Sequence, residues 1–356
     1  MHRLSNASKL PPVRWSSDRI AFVVMTAVLI ILPTLTHPSV VPVLLHLVPG
    51  PVLAIVLSFA YPVFLMKALC FALFACAFNL LIGYVGLLSF GHALFFGWAS
   101  YASAHLAKVG TIALPFFAVR LGPLPPELAI VGATLFAAVL GLIVGAVAIR
   151  RQGIYFAMIT LALAQMMYFF AVQAPFTHGE DGIQAVPSGK LLGLFDLGNQ
   201  RVMYVTVLLI FLGSFLLIYR IINSPFGEVL KAIRENEPRA VSLGYKTDRY
   251  KLVAFVLSAT FAGLAGATKA LVVQLASLTD VDWPMSGEVI LMTLVGGLGT
   301  LFGPVAGAFF LVALEYYLST IGQWFSVVQG AIFVVCVLLF RRGIIGELAQ
   351  LLRVKL

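Results

Sequence analysis

Apolar residues run through this chain in long unbroken blocks, separated by short polar stretches, and ten such blocks can be counted. A bilayer-crossing helix needs about 20 mostly apolar residues, because it rises about 1.5 Å per residue through about 30 Å of hydrocarbon. By that measure the sequence predicts spans over 20–36, 52–77, 88–107, 127–149, 153–174, 202–222, 252–276, 286–300, 303–320 and 324–341. The first and eighth are short. A glycine-rich break separates the eighth from the ninth, so 286–308 reads either as two spans or as half-helices around a kink. Pro38 to Pro51 is apolar but broken by four prolines and reads as an interfacial segment. The predicted class is an all-α integral membrane protein with about ten transmembrane helices. Residues 1–19 precede the membrane domain, 20–341 form it, and 342–356 are a tail.

Composition supports the bilayer as solvent. The chain is 61% hydrophobic and 10% charged, where soluble domains carry about 45–50% and about 25%. The net charge of +9 is explained by placement rather than by nucleic acid. Lys and Arg cluster at Arg3, Lys9, Arg14 and Arg19, between Arg220 and Lys251, and at Arg341, Arg342, Arg353 and Lys355. Positive loops stay on the cytoplasmic side. With the N-terminus inside, six spans return the chain to Arg220 and four more bring Arg341 inside, so both termini are expected in the cytoplasm. The run Ile20 to Leu35 contains Pro33 and is followed by Pro38 and Pro42 rather than a small-residue cleavage site, and reads as an uncleaved span. Cys70, Cys76 and Cys336 sit inside apolar runs with no metal-ligand spacing.

Glycines punctuate the membrane blocks twice in a similar way. Gly83-Tyr-Val-Gly86, with Gly91 and Gly97 following, echoes Gly296-Gly-Leu-Gly299 with Gly303, Pro304 and Gly307. Gly299, Gly303 and Gly307 recur every four residues, as do Ser89, Ala93 and Gly97, and Gly141 with Gly145 adds a third stripe. Small residues at this spacing on one helix face permit close helix approach. They read either as ordinary packing or as surfaces enclosing a translocation path, with Pro304 favouring a break that lines a cavity.

Lys67, His92, Lys269 and Glu315 are the ionisable residues singled out within the predicted spans. Such residues are costly in hydrocarbon and usually functional or paired. Lys269 lies near the outer end of its span and is expected to snorkel. Lys67 is deeper, with no partner identifiable locally, and His92 is expected to bond a neighbouring helix. The set is too scattered for a proton relay, and no pattern supports hydrolytic or metal chemistry. No nucleotide-binding glycine loop ending in Gly-Lys-Ser/Thr occurs, so ATP hydrolysis cannot come from this chain. The predicted external loops are 177–201 and 277–287.

The polar stretch 223–251 is the most informative. Ser224-Pro225 reads as a helix start. Phe226, Val229, Leu230 and Ile233 follow at helical spacing, with Glu228, Lys231, Arg234 and Glu235 on other faces. Pro238 opens a second short helix carrying Ala240, Val241 and Leu243, and Gly244 reads as its stop. The pair is either an interfacial linker or a docking surface for a partner at the inner face of the membrane.

This loop, with the span from Leu252 to Gly266 after it, resembles the permeases of branched-chain amino acid ABC transporters, of the LivM type. Three further segments match in order: Asn79 to Gly97, Thr177-His-Gly-Glu-Asp-Gly-Ile183, and Gly296 to Ala308. The resemblance implies a subunit of an ABC importer with no cofactor of its own, ATP being used by two partner ATPases. It further implies a second homologous permease subunit and a periplasmic binding protein docking on the external loops. Glu235, Ala240 and Gly244 then belong to the loop that couples to the ATPase, though Pro238-Arg239 departs from the pattern. Gly86, Ser89, Gly91, His92, Gly97, Gly296, Gly299, Gly303, Pro304 and Gly307 are the candidates for helix packing or the translocation path. Branched-chain amino acids, urea, amides and other amino acids all remain open as substrate, and a secondary transporter of a small solute is the alternative class.

Overall fold

The computed structural model describes residues 15–36, 61–109, 111–114, 117–120, 122–318, 322, 324–339 and 343–351. The proline-broken segment 38–51, residues 52–60, and Arg3, Lys9, Arg14, Arg341, Arg342, Arg353 and Lys355 lie outside these. The fold is helical, with short strand pairs confined to loops.

Helix α1, Trp15–Ile31, runs on into a 3-10 turn, Leu32–Thr36. It lies on the sixth long helix further along the chain: Phe22 stacks on Phe215, and Tyr204 Oη donates to the Leu29 carbonyl at 2.6 Å. Helix α2, Pro62–Ile82, has proline in its first turn and stops at Gly83. It therefore sits about five residues later than the predicted end at 77. Helix α3, His92–Lys108, begins only after a non-helical stretch from Gly83 to Gly91. Helices α4, Pro126–Ala148, α5, Ile154–Gln173, and α6, Gln200–Ile222, follow. Two short helices, α7, Pro225–Glu235, and α8, Glu237–Ser242, lead into α9, Thr247–Val273. The chain closes with α10, Trp283–Gly296, α11, Gly303–Leu318, α12, Phe325–Leu339, and α13, Gly343–Leu351. Helices α2, α4, α5, α6 and α9 are long and apolar enough to cross a bilayer, and shorter apolar stretches lie in α1, α11 and α12.

The core is organised around α2 and α9. Almost every residue of α2 from Phe64 to Leu81 is buried, which suits a helix apolar on all sides. Helix α9 packs on α2, α3 and α4. Small residues set the spacing. A methyl at Gly141 of α4 would stand 2.6 Å from Ala259 Cβ of α9, and one at Gly145 would stand 2.9 Å from Phe255. Gly266 of α9 lies directly on the Phe96 carbonyl of α3. Without water to drive association, such backbone-to-backbone packing is the main source of attraction between helices in lipid.

Helices α10 and α11 form an antiparallel hairpin. Gly296 lies against the Gly303 carbonyl and Gly307 against the Met292 carbonyl, so neither glycine has room for a side chain. The segment 286–308 is thus two helices joined by the turn 297–302, not one kinked helix. At 14 residues α10 is about 21 Å long, shorter than the hydrocarbon layer. The approach to it enters the bundle as a 3-10 turn, Leu278–Asp280, with Asp280 and Val281 buried against Gly97 of α3. The loop 177–201 is joined there to the residues just before the second loop expected outside, because Ile183–Gln184 pairs antiparallel with Leu275–Ala276, which the sequence assigns to the end of a span. Gly182, at φ 66°, lets the Ala276 carbonyl come close.

Candidate coupling site

The helical hairpin α7–α8 is fixed by local sequence. Ser224 caps α7, accepting from the Gly227 amide at 3.3 Å, and Pro225 stands in the first turn. Gly227 lies on the carbonyls of Ile221 and Ile222, and Leu230 and Ile233 are buried. Phe226 stacks on Tyr250, tying α7 to the start of α9. Asn236 then caps α8, accepting from the Arg239 amide at 3.0 Å. Glu237 pairs with buried Lys251 and accepts from Gln152 of the α4–α5 turn. Gly244, at φ 91°, ends the hairpin.

The three predicted coupling residues separate. Glu235 and Gly244 are exposed, whereas Ala240 is 2% exposed and packs underneath. The outward apolar surface belongs instead to Val241, Leu243 and Tyr245, which are 54%, 69% and 41% exposed. The sequence places Val241 and Leu243 on the second helix, but only the fold shows which way they face.

Arg234, on the last turn of α7, connects this hairpin to the glycine motifs. Its guanidinium donates to the Gly83 carbonyl at the end of α2. Its stem runs along Gly86, where a methyl would stand 3.1 Å from Cγ, and Nη1 would be 3.2 Å from a methyl at Gly299. Gly86 and Gly299 both have positive φ, 81° and 74°, a conformation that glycine adopts without strain. Asn79, 3% exposed, then ties α2 to the α10–α11 turn twice: Nδ2 donates to the Thr300 carbonyl at 2.9 Å and Oδ1 accepts from the Gly299 amide at 3.0 Å. The two glycine echoes therefore meet at one point, beside α7.

Beyond Gly86 the chain stays non-helical to Gly91, inside the bundle. Thr160 of α5 holds this stretch, accepting from the Phe90 amide at 3.2 Å, with its carbonyl filling the space beside Gly91. Backbone of this kind is tolerated at membrane depth only when buried in protein or lining a cavity. Ser89 belongs to this stretch, its Oγ accepting from the Gly91 amide, so it does not share a helix face with Ala93 and Gly97. Gly299 likewise lies in a turn and not on the face of Gly303 and Gly307, with Gly303 and Pro304 opening α11. His92 begins α3 and reaches α9: Ser258 Oγ gives its proton to the Ala77 carbonyl at 2.5 Å, so His92 Nε2 is the donor at 2.8 Å.

Two ion pairs join charged residues of the membrane helices and the turn before α10. Lys67 meets Glu315 at 2.9 Å and Lys269 meets Asp280 at 2.5 Å. Lys269 is 6% exposed and does not snorkel. Among the described residues no group of three His, Cys, Asp or Glu is placed to hold a metal ion.

The family model for the branched-chain amino acid transport system permease component matches residues 62–337. The chain belongs to that family. The matched stretch takes in α2, both glycine motifs, the α7–α8 hairpin and the α10–α11 turn. The chain is similar to the high-affinity branched-chain amino acid transport permease LivM of Escherichia coli, at 25% identity over 78% of this chain and 68% of that relative. It is also similar to LivH of the same organism, at 26% identity over 78% of this chain and 91% of that relative. A probable LivM of Methanocaldococcus jannaschii matches at 24% identity over 52% and 55% of the two chains. No solved structure matches this permease.

Proposed function

We propose that this permease is one of two homologous membrane subunits of an ATP-driven importer, moving branched-chain amino acids or a related small polar nutrient across a bacterial inner membrane. Similarity to both LivM and LivH supports pairing with a second, non-identical permease. About ten spans with both termini in the cytoplasm place α7–α8 on the cytoplasmic side, where two ATPase subunits dock. The loops 177–201 and 277–287 then face a periplasmic binding protein. ATP is bound by the ATPases alone.

The observation that carries this reading is the hairpin itself: a capped, rigid pair of short helices presenting Val241, Leu243 and Tyr245 outward. Exposed apolar side chains on a well-fixed element mark a contact surface. Purification of the tagged chain in mild detergent is expected to recover a second permease and ATPase subunits, and liposomes holding the complex are expected to require ATP and binding protein for uptake. Uptake by this chain alone, without ATP, would establish a secondary carrier instead.

A further inference from the structure

We propose that Arg234 is the strut by which movement of α7 reaches the membrane interior, with Asn79 as its relay; the proposal rests on the reading of α7–α8 as the ATPase contact. A short hairpin displaced by a partner does useful work only if something rigid carries the displacement into the bundle. Leu230 and Ile233 attach α7 by non-directional packing. Arg234 adds a directed contact to two membrane segments at once. Its guanidinium holds the Gly83 carbonyl, past which the chain continues through Gly86 to the non-helical stretch beneath Thr160 and on to α3. The same guanidinium abuts Gly299, which the Asn79 amide clamps to α2 through Gly299 N and Thr300 O.

The chemistry suits the task. A cation at the end of α2 complements the carbonyl end of a helix dipole. A planar guanidinium can hold a carbonyl with one edge while resting flat on backbone, which an ammonium cannot reproduce. Glycine at 86 and 299 lets the side chain touch backbone on both sides, so the coupling is steric as well as polar. Two glycine motifs more than 200 positions apart in sequence thereby move with one side chain. Helix α7 keeps Arg234 exposed at its outer edge, so the test has to separate a strut from a docking contact.

The complete transporter, with its ATPases, second permease and binding protein, is reconstituted in liposomes carrying Arg234→Ala, Arg234→Lys or Gly299→Ala. The last variant crowds the guanidinium from the membrane side and strains the turn, since Gly299 has φ 74°, while leaving every residue of α7 unchanged. ATPase co-purification, ATP hydrolysis with and without binding protein, and uptake of radiolabelled leucine are read together. For Arg234→Ala and Gly299→Ala the ATPases are expected to remain bound and to hydrolyse ATP. Leucine uptake per ATP hydrolysed is expected to fall roughly tenfold, within the range of coupling between sites, with Arg234→Lys recovering only part of it. Unchanged uptake per ATP in Arg234→Ala would overturn the proposal, as would loss of the ATPases in that variant, which would make Arg234 a docking residue. Absence of ATPases from the unmutated complex would instead overturn the underlying reading.

Discussion

Lys269 Nζ lies 2.5 Å from Asp280 Oδ2, with the two side chains only 7% and 3% exposed. The pair bolts the 3-10 turn before α10 to the far end of α9. Asp280 also accepts weakly from the Ser277 amide, so the turn and its ion pair form one unit. Breaking such a pair from one side leaves a buried charge without a partner, at a cost of about 3–5 kcal/mol, whereas replacing both members with apolar residues of similar size is often neutral. Lys269→Met is therefore expected to lower the thermal midpoint of the detergent-solubilised protein sharply. Lys269→Met with Asp280→Leu is expected to recover most of that loss in the same melt.

The Lys67–Glu315 pair gives a useful contrast. Its side chains are 33% and 43% exposed, and Lys67 also stands over the Phe71 ring at 5.7 Å. Lys67 stands in the second turn of α2 and Glu315 in the last turn of α11, so the pair lies near helix ends where a charged head can reach the interface, and Glu315→Gln is expected to cost about 1 kcal/mol or less. The same melt checks this: its shift should be a small fraction of that of Lys269→Met. A shift as large would mean that Glu315 is sequestered more fully than its exposure indicates.

Thr160 supplies a third test. Its hydroxyl donates to the Ala157 carbonyl at 2.8 Å and accepts from the Phe90 amide, the bond that fixes the non-helical stretch after Gly86. Thr160→Val keeps the shape and removes both bonds. Leaving one buried amide unsatisfied costs about 1–3 kcal/mol. Amide exchange across 86–91 is expected to rise in this variant while exchange in α9 stays slow, because the bond acts on that stretch alone.

Much of this architecture was legible in the sequence, and the failures share a cause. Ser224-Pro225, the apolar stripe of α7 and the stop at Gly244 are local signals, and each stands where its chemistry requires. The apolar blocks found the long helices, though the helix predicted over 52–77 ends at Gly83, because Asn79 to Ile82 continue the same turn pattern. Four-residue spacing misled at Ser89, which lies in the non-helical stretch before α3, and at Gly299, since a loop glycine with positive φ repeats in sequence just as a helix-face glycine does. Partners separated by hundreds of positions left no local trace. Lys67 finds Glu315 248 residues away, and Arg234 finds Gly83 across 151. One signal was present and unused: an asparagine deep in an apolar run, such as Asn79, is costly unless it is bonded, so it announces a polar contact without saying to what.

The outward face of α8 yields the sharpest prediction for docking. Val241 and Leu243 are mostly exposed, so Val241→Glu and Leu243→Glu remove little packing and are expected to leave the thermal midpoint nearly unchanged. At an interface centre, a buried carboxylate without a partner is costly, and weakening by about 2 kcal/mol, near thirtyfold, is the scale of a hot-spot residue. Titration of purified ATPase subunit onto nanodisc-held permease should therefore show that loss for either variant. Ala240→Leu should behave oppositely. Ala240 is buried beneath α8, so added bulk there strains the hairpin and lowers its stability by about 1–3 kcal/mol. Equal weakening by Ala240→Leu and Leu243→Glu at an unchanged melting midpoint would mean that the ATPase contacts the other face of α8, and the assignment of Val241, Leu243 and Tyr245 would fall.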